Sequence, residues 1–374
     1  MTTEAQVTSA LERLDLETQI RQLLVVHVYG SDPHQVTDQE AASNRRLYGA
    51  ATPAEVISAV RPGGVVFVRH NRSDPQAFDV PTSNLRRRDQ VTSLTAGLQQ
   101  AARSLVGIGL LVATDHEGGP VTRLPGSHPA GGAELGAVGD LGVARRAAVS
   151  AGHELAAVGI NLNLAPVADV RTNPGNPVIG DRALSADPKA ASDLVQAQIA
   201  GYHDAGIAAT VKHFPGHGGA DVDSHERMPV VNAPRQVWSD VHLPPFVAAV
   251  RAGVDAVMTA HLSAPALDPA GTPATLSPRI VGGLLRQQMS FDGVVMTDSL
   301  WMGGVRNGRD DGEIVVAALE AGCDVLLMPV DAATAVRAIV GAVRSGRLSQ
   351  ETIADATRRV LRLKAQLGLL PSGR

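Results

Sequence analysis

Eight short apolar runs recur along the chain, and stretches of helical periodicity alternate with them. This alternation limits the fold more than any single motif does. The runs are QLLVVHV (22–28), GGVVFV (63–68), GLLVATD (109–115), INLNLAPV (160–167), AATVKHF (208–214), DAVMTAH (255–261), GVVMTD (293–298) and DVLLMPV (324–330). Several are continuously hydrophobic, as strands covered on both faces of a parallel sheet must be. Helical patterns occupy 87–105, 141–159, 187–206, 238–253, 277–289 and 311–322, and two more, 333–346 and 349–368, follow the last strand. Ser349, with Glu351 and Thr352 just behind it, reads as a helix start. Eight β/α units predict an α/β fold, a single (β/α)8 TIM barrel. The competing doubly wound sheet lacks its signature, since no GxGxxG follows an early strand.

At 374 residues the chain is long enough for one large barrel. No Pro- or Ser-rich linker divides it, so residues 1–374 are expected to form one domain. A polar insertion at 30–52 forms a rim loop or short helices, and no second sandwich domain is expected. Lysine plus arginine is 33 against 37 acidic residues, a formal charge of −4, and aromatics are only 3%. That balance points away from nucleic acid and from an anionic membrane surface. The lone Cys323 excludes an internal disulfide and a cysteine-rich zinc site. The first twenty residues lack a basic end followed by an apolar run, so a cytoplasmic protein is expected, as a monomer or homodimer.

Polar residues gather where the strands end: Asp115, the loop after Ala165, His213, His261 and Asp298. In a barrel of this kind that rim carries the chemistry. Asp298 ends an apolar strand in VVMTDSLWMGG, a setting suited to attack on an electrophilic carbon or to capping the following turn. The segment KHFPGHGGADVDSH (212–225) is too rich in glycine and proline for a regular helix. At its end Asp223 and His225 can converge, and a carboxylate bonded to an imidazole fixes its tautomer and stabilises its cation. An Asx-turn beside a solvated histidine is the plainer reading of the same spacing. Lys212 and His213 point to opposite faces unless the strand is bulged. They bind ligand hydroxyls or plug the barrel mouth, and Asp115 and Glu117 in ATDHEGGPVTRL pose the same choice. Arg182 can donate a fork of hydrogen bonds. A metal reading of His213, His217, Asp221, Asp223 and His225 is disfavoured, because Pro215 and Gly216 break the helix that would align the first two; neither metal nor cofactor is expected.

Several of these segments together resemble NagZ-type β-N-acetylglucosaminidases of glycoside hydrolase family 3. KHFPGHGGADVDSH is similar to the family's signature, ATDHEGGPVTRL to its DQEGG-type strand end, INLNLAPVADV with NPVIGDRALSADP to its NxxxAPVxD and GDRxxxxDP run, and GVVMTDSLWMGGV to its nucleophile segment. The blocks follow the family's order over roughly 110–305, and RRVLRLKAQLGLL resembles its closing helix. The resemblance implies a retaining two-step mechanism on terminal β-linked N-acetylglucosamine, a small-molecule sugar substrate, with muropeptides the usual source. It implies Asp298 as nucleophile, His225 as acid/base and Asp223 as its dyad partner. Asp115, Arg182, Lys212, His213 and His261 match sugar-binding positions. His116 and Trp301 depart from the family's pattern. A phosphorylase, a β-glucosidase-like enzyme or a hydrolase of a specialised N-acetylated glycoside are the alternatives within the family. A non-catalytic sugar-binding barrel and a metal hydrolase lie outside it.

Overall fold

A computed structural model describes residues 2–69 and 80–371. All eight strands form: β1 (Leu24–Val26), β2 (Gly64–Phe67), β3 (Leu111–Thr114), β4 (Leu162–Asn163), β5 (Ala208–Phe214), β6 (Ala256–Thr259), β7 (Val294–Thr297) and β8 (Leu326–Leu327). They pair in parallel in the order β7-β6-β5-β4-β3-β2-β1-β8. The two ends of this sheet meet. Val325 N–H donates to the Val295 carbonyl (3.0 Å) and Thr297 N–H to the Val325 carbonyl (2.9 Å), which closes the sheet into a barrel. Every strand residue is buried, because side chains fill the barrel and helices cover it.

The ladders are shorter than the apolar runs. Side chains satisfy the strand backbones at their lower ends: the Gln99 amide both donates to and accepts from Leu110 (2.9 Å each), and Asn161 Oδ1 accepts from Val112 N–H (2.8 Å). The helical patterns also form, with two irregularities. The 238–253 pattern splits into a wide turn, Trp238–His242, and a helix, Pro244–Arg251. Pro244 has no N–H to donate, and Leu243 N–H reaches back five residues to Trp238 (2.9 Å). The 277–289 pattern is wound in the same wide manner over Arg279–Gln288.

The polar insertion after β1 contains a helix, Asp38–Tyr48, started by a reciprocal Thr37–Glu40 cap. Buried Asn44 ties it to the rim by exchanging hydrogen bonds with the Tyr29 backbone (2.9 and 2.7 Å). The closing helix, Gln350–Gln366, starts where expected, with Ser349 Oγ accepting from Thr352 N–H (2.9 Å). Among the described residues no helix is long and apolar enough to cross a membrane.

That closing helix carries an unusual group beneath the barrel. Lys364 is fully buried, and its Nζ donates to Gln22 Oε1 (2.7 Å). Burial lowers its pKa to about 7. The unfolded chain keeps this proton to about pH 10, so between about pH 7 and 10 it binds more protons than the folded one and stability rises with pH. Urea unfolding at intervals across that window should show the rise, and Lys364→Met should flatten it.

Candidate active site

The upper ends of β3 and β5 and the loop after β4 bring a charged cluster together. Glu117 lies three residues past β3 in a turn that needs Gly118, where φ is +94° and an added Cβ would sit 2.2 Å from the Ala130 carbonyl oxygen. Its side chain is 5% exposed. Arg182 grips it with two bonds, Nε to Oε2 (2.9 Å) and Nη2 to Oε1 (2.7 Å). Lys212 Nζ lies 2.7 Å from Glu117 Oε1 and 2.5 Å from Asp115 Oδ1. Burial alone would raise the Glu117 pKa, but Arg182 and Lys212 outweigh it and hold the carboxyl well below the usual carboxylate range. Burial would likewise strip Lys212 of its proton, yet Asp115 and Glu117 outweigh that and raise its pKa.

Lys212 and His213 are neighbours on a strand, yet both face this cluster. The register of β5 against β6 shifts between Val211 and Phe214, and the Lys212–His213 peptide is cis. Strict alternation is lost there, as at a bulge. His213 Nδ1–H donates to Asp169 Oδ2 (2.7 Å), which leaves Nε2 facing Arg182 Nη2 (3.3 Å). Asp169 is fully buried, and its other oxygen accepts the His217 N–H (2.5 Å). Burial raises its pKa, but His213 and His217 prevail and lower it.

β7 delivers Asp298 beside this cluster. Ser299 N–H donates to Asp298 Oδ1 (2.7 Å). Burial pushes its pKa up, but the fields of His261, His213 and His225 hold the carboxyl below its ordinary value, so it is ionised at neutral pH. His261, past β6, is fully buried and commits both ring nitrogens to protein: Nε2 to the Ser299 carbonyl (3.0 Å) and Nδ1 to Thr275 Oγ1 (2.8 Å).

The loop after β5 carries the remaining pair. His225 Nδ1 lies 2.7 Å from Asp223 Oδ1, which also accepts the His225 N–H (2.8 Å). Both side chains are partly exposed, 46% and 36%. Burial raises the Asp223 pKa, and the two His225 bonds overcome that and lower it. Such a set offers a charged donor–acceptor cluster for a polyhydroxylated ring, an ionised carboxylate for attack, and an imidazole with one nitrogen free for proton transfer.

The structure therefore gathers Asp115, Arg182, Lys212 and His213 around Glu117, with Asp298 and His261 beside them and the Asp223–His225 pair on the neighbouring loop. Sequence reasoning weighed Glu117 only alongside Asp115 and missed Asp169, whose signal was the last residue of APVAD. His116 is scaffolding. Its Nδ1 accepts from Arg123 and Leu124 N–H (3.2 and 3.4 Å), its Nε2 meets Ser127 Oγ (3.1 Å), and burial lowers its pKa to about 4. Trp301 packs edge-on against His27, ring centroids 6.3 Å apart. Among the described residues no three His, Cys, Asp or Glu side chains converge as a metal ion would need.

The family model described as "Glycosyl hydrolase family 3 N terminal domain" matches residues 15–363. Beta-hexosaminidase A of Pseudoalteromonas piscicida is 34% identical over 314 residues, 76% of this chain and 52% of that protein, so the chain spans about half the length of that relative. A beta-hexosaminidase of Thiobacillus denitrificans is 38% identical over 71% of each chain. Among solved structures, a glycoside hydrolase family 3 beta-N-acetylglucosaminidase from Paenibacillus sp. superposes with a TM-score of 0.85 at 38% identity, covering 96% of this chain and 64% of that one. A beta-N-acetylhexosaminidase from Beutenbergia cavernae gives 0.80 at 30% identity, covering 94% and 98%.

Removing the charge at the cluster's centre tests its role. Glu117→Gln leaves two buried cations short of a counter-ion and should cost about 3–5 kcal/mol in urea unfolding at pH 7. Because the folded pKa is depressed, the carboxylate's contribution is complete above the unfolded value near 4.5 and is lost as pH falls towards the folded one. The variant's stability should therefore fall less steeply than the wild type's below about pH 4.5.

Proposed function

The chain belongs to glycosyl hydrolase family 3, and on that premise we propose that it is a retaining exo-β-N-acetylglucosaminidase. The observation that carries this reading is the ionised Asp298 on the same rim as the Asp223–His225 pair, with the Glu117 cluster beside it. Asp115, Arg182, Lys212 and His213 hold the hydroxyls of a terminal sugar. Asp115 accepts, Arg182 and Lys212 donate, and His213 presents Nε2. The names of the relatives favour a 2-acetamido sugar. Muropeptide-derived glycosides are the proposed source.

In the first step an Asp298 carboxylate oxygen bonds to C1 as the C1–O bond to the leaving group breaks. His225 Nε2–H passes its proton to the departing oxygen while Asp223 steadies the ring through Nδ1. The now neutral Nε2 takes a proton from water, whose oxygen displaces Asp298 from C1, with net retention. A neutral imidazole, unlike a carboxylate, does not repel an anionic acceptor, so phosphate belongs in the test. Both reacting groups sit on loops of the barrel itself, and the barrel is proposed to carry the whole reaction.

Proton NMR of a 4-nitrophenyl β-N-acetylglucosaminide digest should show the β anomer of the free sugar first; the α anomer would overturn the reading. Asp298→Ala should abolish turnover. His225→Ala should cost about 100-fold or more on alkyl glycosides but far less on aryl glycosides with good leaving groups. Mass spectrometry after a slow 2-fluoro substrate should find the label on the peptide containing Asp298. Phosphate should leave the products unchanged, and a sugar phosphate would favour the phosphorylase alternative.

A further inference from the structure

Among the described residues the Asp223–His225 pair makes no side-chain hydrogen bond to the barrel; His225 Nδ1 bonds to Asp223 Oδ1, which also accepts the His225 N–H. What fixes the pair in space is backbone. The loop is anchored at its start, where Asn176 Nδ2 donates to the His217 carbonyl (2.8 Å) and Asn173 Nδ2 to the Ala220 carbonyl (2.9 Å). It is anchored at its exit, where Val231 N–H and Ser263 N–H bond to the Ser263 and Pro229 carbonyls (2.9 and 2.8 Å). Between these anchors the tip touches the turn after Asp298 at two points. Gly303 N–H donates to the His225 carbonyl and Gly304 N–H to the Ser224 carbonyl, each at 3.0 Å. Both amides open a short helix, Gly303–Arg306, and have no partner within it. Ser224 is buried, and its Oγ lies 3.1 Å from His217 Nε2.

The approach is as close as backbones allow. A Cβ at position 303 would stand 2.1 Å from the Glu226 carbonyl oxygen and 3.1 Å from that of His225. One at 304 would stand 2.7 Å from the His261 carbonyl oxygen and 2.9 Å from that of Ser224. Neither contact is with the end of a flexible side chain, so any other residue must displace the tip or the turn. The same turn carries Asp298 and is braced from below by His261 through the Ser299 carbonyl.

We propose that Gly303 and Gly304 are positioning residues: their amides latch the His225 loop onto the Asp298 turn and set the height of the imidazole above the carboxylate. This rests on the reading of Asp298 and His225 as nucleophile and acid/base. The latch uses only main-chain atoms of the loop, so it survives removal of the His225 side chain and fails when a methyl group enters at 303. A displaced tip withholds the proton and leaves the carboxylate and the hydroxyl cluster intact. Gly303→Ala should therefore reproduce the leaving-group signature of His225→Ala.

The test compares wild type, Gly303→Ala, His225→Ala and the double variant on alkyl and 2,4-dinitrophenyl N-acetylglucosaminides. Gly303→Ala should lose about 100-fold in kcat/KM on the alkyl substrate and stay within about threefold on the dinitrophenyl one. The double variant should be no worse than His225→Ala alone. Equal losses on both substrates, or none on either, overturn the latch. Hydrogen exchange on the folded wild type decides without a variant: the Gly303 and Gly304 amides should be protected, also in His225→Ala, and fast exchange in wild type overturns it. If His225→Ala shows no leaving-group dependence, the acid/base assignment fails and the latch with it. If His225→Ala shows it and Gly303→Ala does not, the latch alone fails.

Discussion

One carboxylate holds the mouth of the barrel together. Glu117 comes from the turn after β3, Arg182 from the loop after β4 and Lys212 from the end of β5, and all three meet within hydrogen-bond distance out of bulk water. Ion pairs this deep gain little net stability, because desolvation consumes most of the attraction. What they supply is position. Two cations with their counter-ion fixed can meet neutral hydroxyls without moving, and Asp115 completes the set by sharing Lys212. His213 is keyed to the same arrangement through Arg182 on one side and Asp169 on the other. In this network each charge thus fixes the next.

Asp298 and the Asp223–His225 pair are held differently. Asp298 is surrounded by imidazoles that keep it ionised despite burial, and its turn is braced by His261. The His225 imidazole is tied to its own loop neighbour, and the tip of its loop meets the turn after Asp298 through carbonyls docked on two glycine amides. Charged side chains secure the Glu117 side of the rim, and backbone hydrogen bonds dock the tip of the His225 loop on the Asp298 turn. Two neutral hydrogen bonds between the loop tip and the Asp298 turn, each with a net contribution of about 1 kcal/mol, are far easier to break than a cluster of interlocked buried charges.

The fold was legible because burial on both faces writes itself into sequence as continuous apolar runs, and eight of them admit few topologies. Asp115, His261 and Asp298 were legible for the same reason: a polar residue closing an apolar strand stands out. Other contributors left weaker marks. Asp169 lies beyond a two-residue strand and acts on histidines more than forty positions away, a contact that no local pattern encodes. The shared direction of Lys212 and His213 contradicts simple alternation and follows from the register shift in β5. Gly303 and Gly304 act through amides every residue possesses, so their contribution is the absence of a side chain, visible only once the opposing carbonyls are in place.

His261 shows how placement changes the meaning of a residue. Its position at a strand end marks it as a sugar-binding candidate, yet both ring nitrogens are bonded to protein and burial lowers its pKa. Nε2 pairs with the Ser299 carbonyl and Nδ1 with the Thr275 hydroxyl, which itself donates to the Ala260 carbonyl (3.0 Å), so the ring ties the Asp298 turn to the Thr275 segment. Through the Ser299 carbonyl the buried ring supports the turn that carries Asp298, and its field helps hold that carboxyl below its ordinary pKa. A polar residue closing an apolar strand can thus serve as a brace for a neighbouring turn, a role that its hydrogen-bond partners reveal and its position in the sequence does not.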